Sequence, residues 1–573
     1  MFKPSETGPA ASPPRCDQYG YMLLVVPILI VAIAFFTVQA VKRSRMSMQV
    51  AGSELSYEQT KMCAQQCASL AVNATARAMN GNARIKQGTD QCPCENENGS
   101  GKIGCTTSWG NPVNSVYENC HGLQVMKAEM DIRTECKDGD NRAAKLLENV
   151  NFEEVPIFQF AVFFDKTVSI HPGPQMQIRG RVHSNDSIKL SPINTLSLFD
   201  WITSARTIVA RVPAGHGSTR IGMPLKGGGT DPEASRITSK EFQTLDQLIP
   251  GWSAFQKDHL IAYPGQARGC GAIDKLTIPT DGVEDPYELI EWRKPEDSYL
   301  LKRQKFAWKA DLLYKDGNWV DNKLNPVTLD NPIRKPGVSM LDDEGDARRI
   351  TFWDNREKMM VKVLPVDVAK LQQRPGDSII YIYDGFKDPS QDDNDPSGIL
   401  LFNGAKLVRP ITIATNTRAY MWGDFNVDPG YGNGALKNNP FPAAIISDAF
   451  NELSNQWQPK EYEFMKGYSK RIRETNPDAK TVLNACLMLG RPVTGYHNSL
   501  HFMEDWSGVP FIFTGSVVSV WEPHISTERQ DARYQPPVRL WSFDPMYKDI
   551  SNMPPGTPRL VNPKLNTWEM RRE

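Results

Sequence analysis

Two patterns of apolar and polar positions divide the chain. Residues 21–41 read YMLLVVPILIVAIAFFTVQAV, an apolar run without a formal charge. At about 1.5 Å per helical residue it matches a hydrocarbon core about 30 Å thick, which predicts a transmembrane helix. A secretory signal peptide is the competing reading, but the run is longer than an h-region and lacks a small-x-small cleavage site. Pro27 lies inside it and predicts a kink. Residues 46–79 hold no proline and one glycine, and place Met46, Val50, Leu55, Met62, Cys67, Leu70 and Ala74 at near-helical spacing. The helix is therefore expected to continue as a stalk over 42–80 and to stop at Asn80-Gly81, where both residues tolerate the left-handed conformation.

From residue 151 the pattern changes to short apolar or alternating runs, such as IFQFAVFFD, MQIRGRV, SIIYIYDGF, GILLFNG and VPFIFTGSVVSVW, separated by Gly, Pro, Asn and Asp. Such runs read as strands and turns. The expected fold is mainly β, a parallel β-solenoid or a sandwich, with a long N-terminal α-helix that includes the transmembrane segment. No repeat period is evident that would decide between the two. The organisation reads as a leader or cytoplasmic segment (1–20), a transmembrane helix (21–41), a helical stalk (42–80), a cysteine-rich region (81–150) and a β-rich extracytoplasmic domain (151–573). A division of the last near 290–340 is left open. Helical interruptions are expected at 240–248 and 459–475, and flexible loops at 214–234 and 386–397.

Lys+Arg 65 against Asp+Glu 66 leaves a net charge of -1, so no global basic field recruits nucleic acid. Cysteine placement changes the picture more. Cys63, Cys67, Cys92, Cys94, Cys105, Cys120 and Cys136 crowd one stretch, whereas Cys16, Cys270 and Cys486 stand apart. In an oxidising compartment the cluster reads as a disulfide framework; zinc and free thiols are the alternatives, and no CxxC or Cys/His spacing of a zinc ribbon is present. Seven cysteines cannot all pair among themselves, so one must reach Cys270 or another chain, or keep its thiol. Orientation is contested within the sequence. Lys42, Arg43 and Arg45 follow the apolar run and by the positive-inside rule would hold the large domain in the cytoplasm, whereas the cysteines favour export.

The search for chemistry finds no convincing active site. In HNSLHFMED, His497, His501 and Glu504 would share one face of a helix, but the glutamate of HExxH is missing, so hydrogen bonding is preferred to a metal site. His171, His183 and His524 carry the same expectation. No G-x-S-x-G elbow, P-loop or D-x-[DN]-x-[DN]-G calcium loop occurs, and Cys270 and Cys486 have no assignable His or Asn partner. No catalytic residue, metal ligand or cofactor is expected, and the chain is read as not an enzyme.

Three regions carry a resemblance. RGRVHSNDSIKL at 179–190, preceded by VSIHPGPQMQI, is followed by ITIATNTRAYMWGDFNV at 411–427 and FPAAIISDAFNELSNQW at 441–457, then by LNACLMLGRPVTGYHNSLHFMEDWSG and YQPPVRLWSFDPMYKDISNMPPGTPRL. Together these resemble large bacterial proteins with a PilX-type, type IV pilin-like N-terminus. The resemblance implies a structural, minor-pilin-like component of a pilus or pseudopilus, anchored in the bacterial inner membrane with its β-rich domain periplasmic or at the cell surface. Its implied partners are other pilus subunits, an inner-membrane assembly platform and membrane lipid, and it brings no catalytic residues. It also implies prepilin-type cleavage between Gly20 and Tyr21, although Val25 stands where a glutamate is usual. Asn185, Asn426, Asn484 and Asn498 look like turn residues that close strands. A surface adhesin or glycan-binding protein and a polysaccharide-active β-helix enzyme are the alternatives.

Overall fold

The computed structural model describes residues 19–79, 88–92, 94–95, 102–110, 113–137, 143–231, 236–264, 274–280, 283–330, 332–333, 349–354, 356–384, 397–427, 440–457, 478–492, 495–525 and 536–572. The expected loop at 386–397 and helix at 459–475 lie almost wholly or wholly outside these residues.

The chain opens with one helix, α1 (Tyr19–Met79), of 61 residues. It runs without a break through the apolar segment and the basic residues after it as far as Met79; the expected stop at Asn80-Gly81 lies outside the described residues. Of the apolar run at 21–41, the side chains of residues 21–30 lie outside the described ones. Among the described residues no helix is long and apolar enough to cross a membrane, so the transmembrane expectation finds no support here.

Beyond α1 lies an antiparallel sheet. Its central strands are Lys102–Trp109, Gln124–Lys137 and Ala143–Pro156, and the last strand of the chain, Arg559–Arg572, returns to pair with Ala143–Pro156 from Arg572↔Ala144 to Arg559↔Pro156. The whole β-rich body between residues 157 and 558 is thus inserted between two neighbouring strands. Inbound and outbound chains leave the sheet side by side.

That body is a parallel β-solenoid, not a sandwich. Val162, Val182 and Ile202 stack in register, as do Val168, Ile188 and Ile208 on the next face, and Met176 and Leu196 on the third. The step between stacked positions is 20 residues. The repeat that the sequence reading did not find is therefore present: VFFDKTVSI, VHSNDSIKL and ITSARTIVA are successive turns. Parallel ladders buried on the inner face need apolar residues at the inward positions, and these are fully buried.

After the short strand Ile261–Ala262 the chain crosses to the far end and builds back. Leu312–Lys315, Ile379–Ile382, Ile411–Thr415, Ala443–Ile446, Thr481–Gly490 and Pro510–Trp521 pair in parallel, and Val517 meets Val162 to close the two halves into one ladder. The joining strand Pro510–Trp521 pairs Val538–Ser542 through its first residues and Val162–Phe164 through its last. Gly515 lies between those two partners, and a Cβ there would overlap the carbonyl oxygen of Ala485. One apolar core runs from Leu123 to Leu560 through both halves. A second, smaller core around Phe352, Tyr420, Trp457 and Met503 lines the outside of the sheet made by Met359–Asp367, Ser397–Phe402, Arg418–Trp422, Ala449–Leu453 and Leu500–Phe502.

Several local expectations change. HNSLHFMED is not a helix: Tyr496–Asn498 is a single 3-10 turn and Leu500–Phe502 a strand, so successive side chains alternate and the i, i+4, i+7 face does not form. The 240–248 helix shrinks to Leu245–Leu248, followed by Trp252–Asp258. Within 214–234, Thr219–Pro224 is a strand that pairs with Thr195–Leu198. Of the four asparagines only Asn426 is left-handed, with φ 58°. Asn484 and Asn185 serve through their side chains. Asn484 donates to the Asn426 carbonyl at 3.0 Å while Asn426 donates back to the Asn484 carbonyl at 2.9 Å, and Asn185 donates to Asp165 and to the Leu276 carbonyl.

Candidate assembly helix and its cysteine-bound base

Helix α1 has two unlike halves. Val31, Ile33, Phe35, Phe36, Val38 and Val41 are at least half exposed, and Met46, Met48, Val50 and Leu55 continue the exposure. A helix that is apolar all round ordinarily belongs in a core or a membrane, and among the described residues no other part of the chain covers this half. Nearer its C-terminus, Thr60, Cys63, Ala64, Cys67 and Ala68 are buried. Their spacing of three and four residues makes one face, and their small side chains let the helix lie close to the sheet. The sheet answers with Ile103, Cys105, Cys136 and Leu146.

Cysteines fasten this contact. Cys67 of the helix is bonded to Cys92, and Cys105 is bonded to Cys136 on the neighbouring strand, where the two are directly opposed in register. Cys63 is also disulfide-bonded, and its Sγ lies 3.2 Å from that of Cys105. The structure thus brings together Cys63, Cys67, Cys92, Cys105 and Cys136. Cys94 lies on the strand Cys94–Glu95, opposite Ile103. Cys120 is elsewhere, exposed on a turn with its Sγ 3.8 Å from His121 Nδ1. Cys270 lies outside the described residues. Gly20 and Tyr21 fall in the first turn of α1. Sequence reasoning missed Ala64 and Ala68 as docking residues, although their spacing beside Cys63 and Cys67 would have revealed them.

In the solenoid, the polar residues singled out from sequence are tied into local hydrogen bonds. His183 lies between Thr203 (Nδ1 to Oγ1, 2.9 Å) and Asn185 (Nε2 to Oδ1, 3.0 Å), stacked on Phe163, and burial pushes its imidazole down to about 4. It is therefore neutral at ordinary pH. His171 is likewise pushed down to about 4, by burial and then by Arg211 and Lys189. His501 meets Asn451 at 3.2 Å, and Glu504 accepts from the Ser454 amide and hydroxyl, so these two do not converge on a common point. His524 stacks on Tyr287 and contacts Asp285 at 2.7 Å. The side chain of His497 lies outside the described ones. Trp506, Trp541 and Phe502 are buried in the main core.

Three buried ionic groups were not foreseen. Lys305 meets Glu288 at 2.9 Å and Asp297 at 3.1 Å; Arg349 forms a bidentate pair with Asp384; and Arg418, fully buried, donates to the carbonyls of Ser397 and Ile525 with Glu357 3.8 Å away. Beside it Tyr420 donates to Asp354 at 2.6 Å, and burial, with Glu357 nearby, holds the Asp354 carboxyl above the usual range. The Glu452 carboxyl is held well above the ordinary range, by burial and then by Asp424 and Glu504. The carboxylates of Asp297, Asp384 and Asp354 bond to neighbouring backbone or side chains, whereas neither carboxyl oxygen of Glu452 has a hydrogen-bond partner among the described residues. Among the described residues, Cys63, Cys105 and Cys136 alone form a group of three metal-capable side chains with donor atoms within 4.8 Å of one another.

No protein-family model matches the chain, and no curated protein matches it. Among solved structures it is similar to the competence-associated pilin ComZ from Thermus thermophilus, at 10% identity over 90% of this chain and 97% of that one, with a TM-score of 0.26. At that score the likeness carries no argument about this chain.

Proposed function

We propose that the chain is a membrane-anchored structural subunit of a type IV pilus-like or pseudopilus-like assembly, of the minor-pilin kind, and not an enzyme. The observation that supports this is the asymmetry of α1. One half is bare and apolar, while the other is fastened to the sheet through Cys67–Cys92 and a close-packed small-residue face. Such a helix presents its exposed half to lipid or to neighbouring helices and carries the folded body with it. The uncharged run at 21–41 supplies the anchor, with prepilin-type removal of residues 1–20 before Tyr21. The solenoid, inserted between adjacent strands, is the displayed part. It faces the periplasm or the cell surface of a bacterium, an orientation favoured by the disulfides, which persist in oxidising compartments. Neighbouring pilus subunits, an inner-membrane assembly platform and lipid are the partners. No nucleic acid is invoked.

The test is fractionation of cells expressing the native chain, with protease added to intact cells and intact-mass analysis before and after reduction. We expect a membrane-bound chain that carbonate does not extract, an external domain cleaved by protease, and a mature N-terminus at Tyr21. Deleting residues 21–41 should release the protein from the membrane. A soluble wild-type chain, or a body protected from protease in intact cells, would overturn the reading.

A further inference from the structure

We propose that Cys63, Cys105 and Cys136 form a thiol–disulfide exchange site in which the cystine between the sheet strands serves as a reserve for one of the two bonds that hold the helix. The three sulfurs lie within 4.8 Å of one another, each side chain is buried, and Cys63 Sγ already touches Cys105 Sγ at 3.2 Å. Exchange proceeds by thiolate attack on a disulfide sulfur, so contact between a helix sulfur and a cystine sulfur is the geometry it starts from. The chemistry balances as follows. A dithiol reductant opens the disulfide that Cys63 makes, leaving the dithiol oxidised, the other cysteine of that bond as a thiol and Cys63 as a thiolate. That thiolate attacks Cys105 Sγ, the Cys63–Cys105 bond forms, the Cys105–Cys136 bond breaks, and Cys136 departs as a thiolate that takes up a proton. The exchange step consumes no further electrons.

The arrangement decides where the loss falls. Cys105 and Cys136 are directly opposed on strands that backbone pairing already holds over Gly104–Trp109 and Ile132–Lys137, so losing their bond leaves the ladder intact. Cys63 comes from a helix that meets the sheet through a short face of small side chains with no backbone pairing, and only the Cys67–Cys92 bond would otherwise tie it covalently. Reduction aimed at the helix is thereby passed to the strand pair, and the helix stays joined to the sheet. Ala64, Ala68, Ile103 and Leu146 surround the sulfurs and shield the exchange from water.

The experiment treats the full chain in detergent with limiting dithiothreitol, quenches with N-ethylmaleimide at intervals, and maps linked and labelled peptides by mass spectrometry. The expected result is a Cys63–Cys105 linked peptide that grows as Cys136 becomes labelled. Labelling of Cys63 while Cys105–Cys136 stays intact overturns the proposal. A second variant, Cys136→Ser, needs no reductant: a Cys63–Cys105 bond is expected, and full labelling of Cys105 in a chain with unchanged circular dichroism overturns it. Because the readout is within one chain, failure here leaves the assembly reading untouched, and failure of that reading does not alter this result.

Discussion

The two halves of the solenoid use the same ladder and treat polar groups differently. In the first half, the turns from Val162 to Ala210 stack with a step of 20 residues, and the step lengthens only afterwards, from Leu196 to Ile221 and from Ile202 to Ile261. In the second, Thr412 follows its ladder partner Ile379 by 33 residues, Ala443 follows Ile411 by 32, and Cys486 follows Ala444 by 42. Most of the extra residues, at 385–396, 428–439 and 458–477, lie outside the described ones; among the described residues this half carries a second core around Phe352, Tyr420 and Trp457 on its outer face. Charged pairs follow this difference. Arg206 and Asp186 of the first half meet at 3.3 Å with the arginine 73% exposed, whereas Arg349 and Asp384 of the second are buried. A pair left at the surface keeps its charges in water, whereas a pair that other segments cover must be matched.

The largest expected effect lies where the halves join. Gly515→Ala places a methyl group against the Ala485 carbonyl, backbone that the surrounding ladder holds fixed. A loss beyond about 5 kcal/mol, in practice no recoverable folded solenoid, is expected from an overlap that no rotamer relieves. Gly173→Ala in the first half, with nothing within 4 Å of the new Cβ, should change the urea midpoint little. Equal behaviour of the two variants in urea melts would break the claim that the joining strand is the rigid seam.

The charge pairs give the next effect. Arg349→Leu leaves Asp384 buried without its bidentate partner and should cost about 4 kcal/mol, because removing one member of a buried pair strands the other charge. Arg206→Ala should cost at most about 0.5 kcal/mol, since exposed pairs are screened by solvent. Denaturation of both variants at low and high salt sharpens the comparison: the Arg206→Ala difference should vanish with salt and the Arg349→Leu difference persist. A salt-sensitive Arg349 pair would place it in solvent.

The same contrast explains what the sequence discloses. The helix was legible because apolar periodicity and the lack of Pro and Gly after residue 46 act locally, and strands were legible because apolar runs punctuated by turns need no knowledge of their partners. The 20-residue period was present in VFFDKTVSI, VHSNDSIKL and ITSARTIVA, but hidden by loops of unequal length after residue 262. HNSLHFMED carried a helical spacing that strand pairing to Ala449–Leu453 overrode. At the candidate site the crowding of cysteines was readable, and their partners were not, since pairing follows from the register of strands far apart in the chain. Nor could sequence distinguish Arg206 from Arg349. Their difference lies in what other segments place over them.

A smaller effect tests whether the first half tolerates charge in its interior at all. His183 is fully buried between Phe163, Thr203 and Asn185, and burial lowers its folded-state value to about 4 from an ordinary 6.5. The sign follows from which state takes the proton. Above pH 6.5 neither state holds it and His183 costs nothing; between 6.5 and 4 the unfolded chain is protonated and the folded one is not, so stability falls as pH falls; below 4 both are protonated and the loss levels off. The full loss is on the order of 3 kcal/mol, from about 1.36 kcal/mol per unit. His183→Gln keeps a hydrogen-bonding side chain without the titration. Urea midpoints of the two chains measured from pH 7 to 4 should diverge in slope, the wild type losing stability faster, and parallel curves would mean that the first half opens enough to let His183 protonate in place.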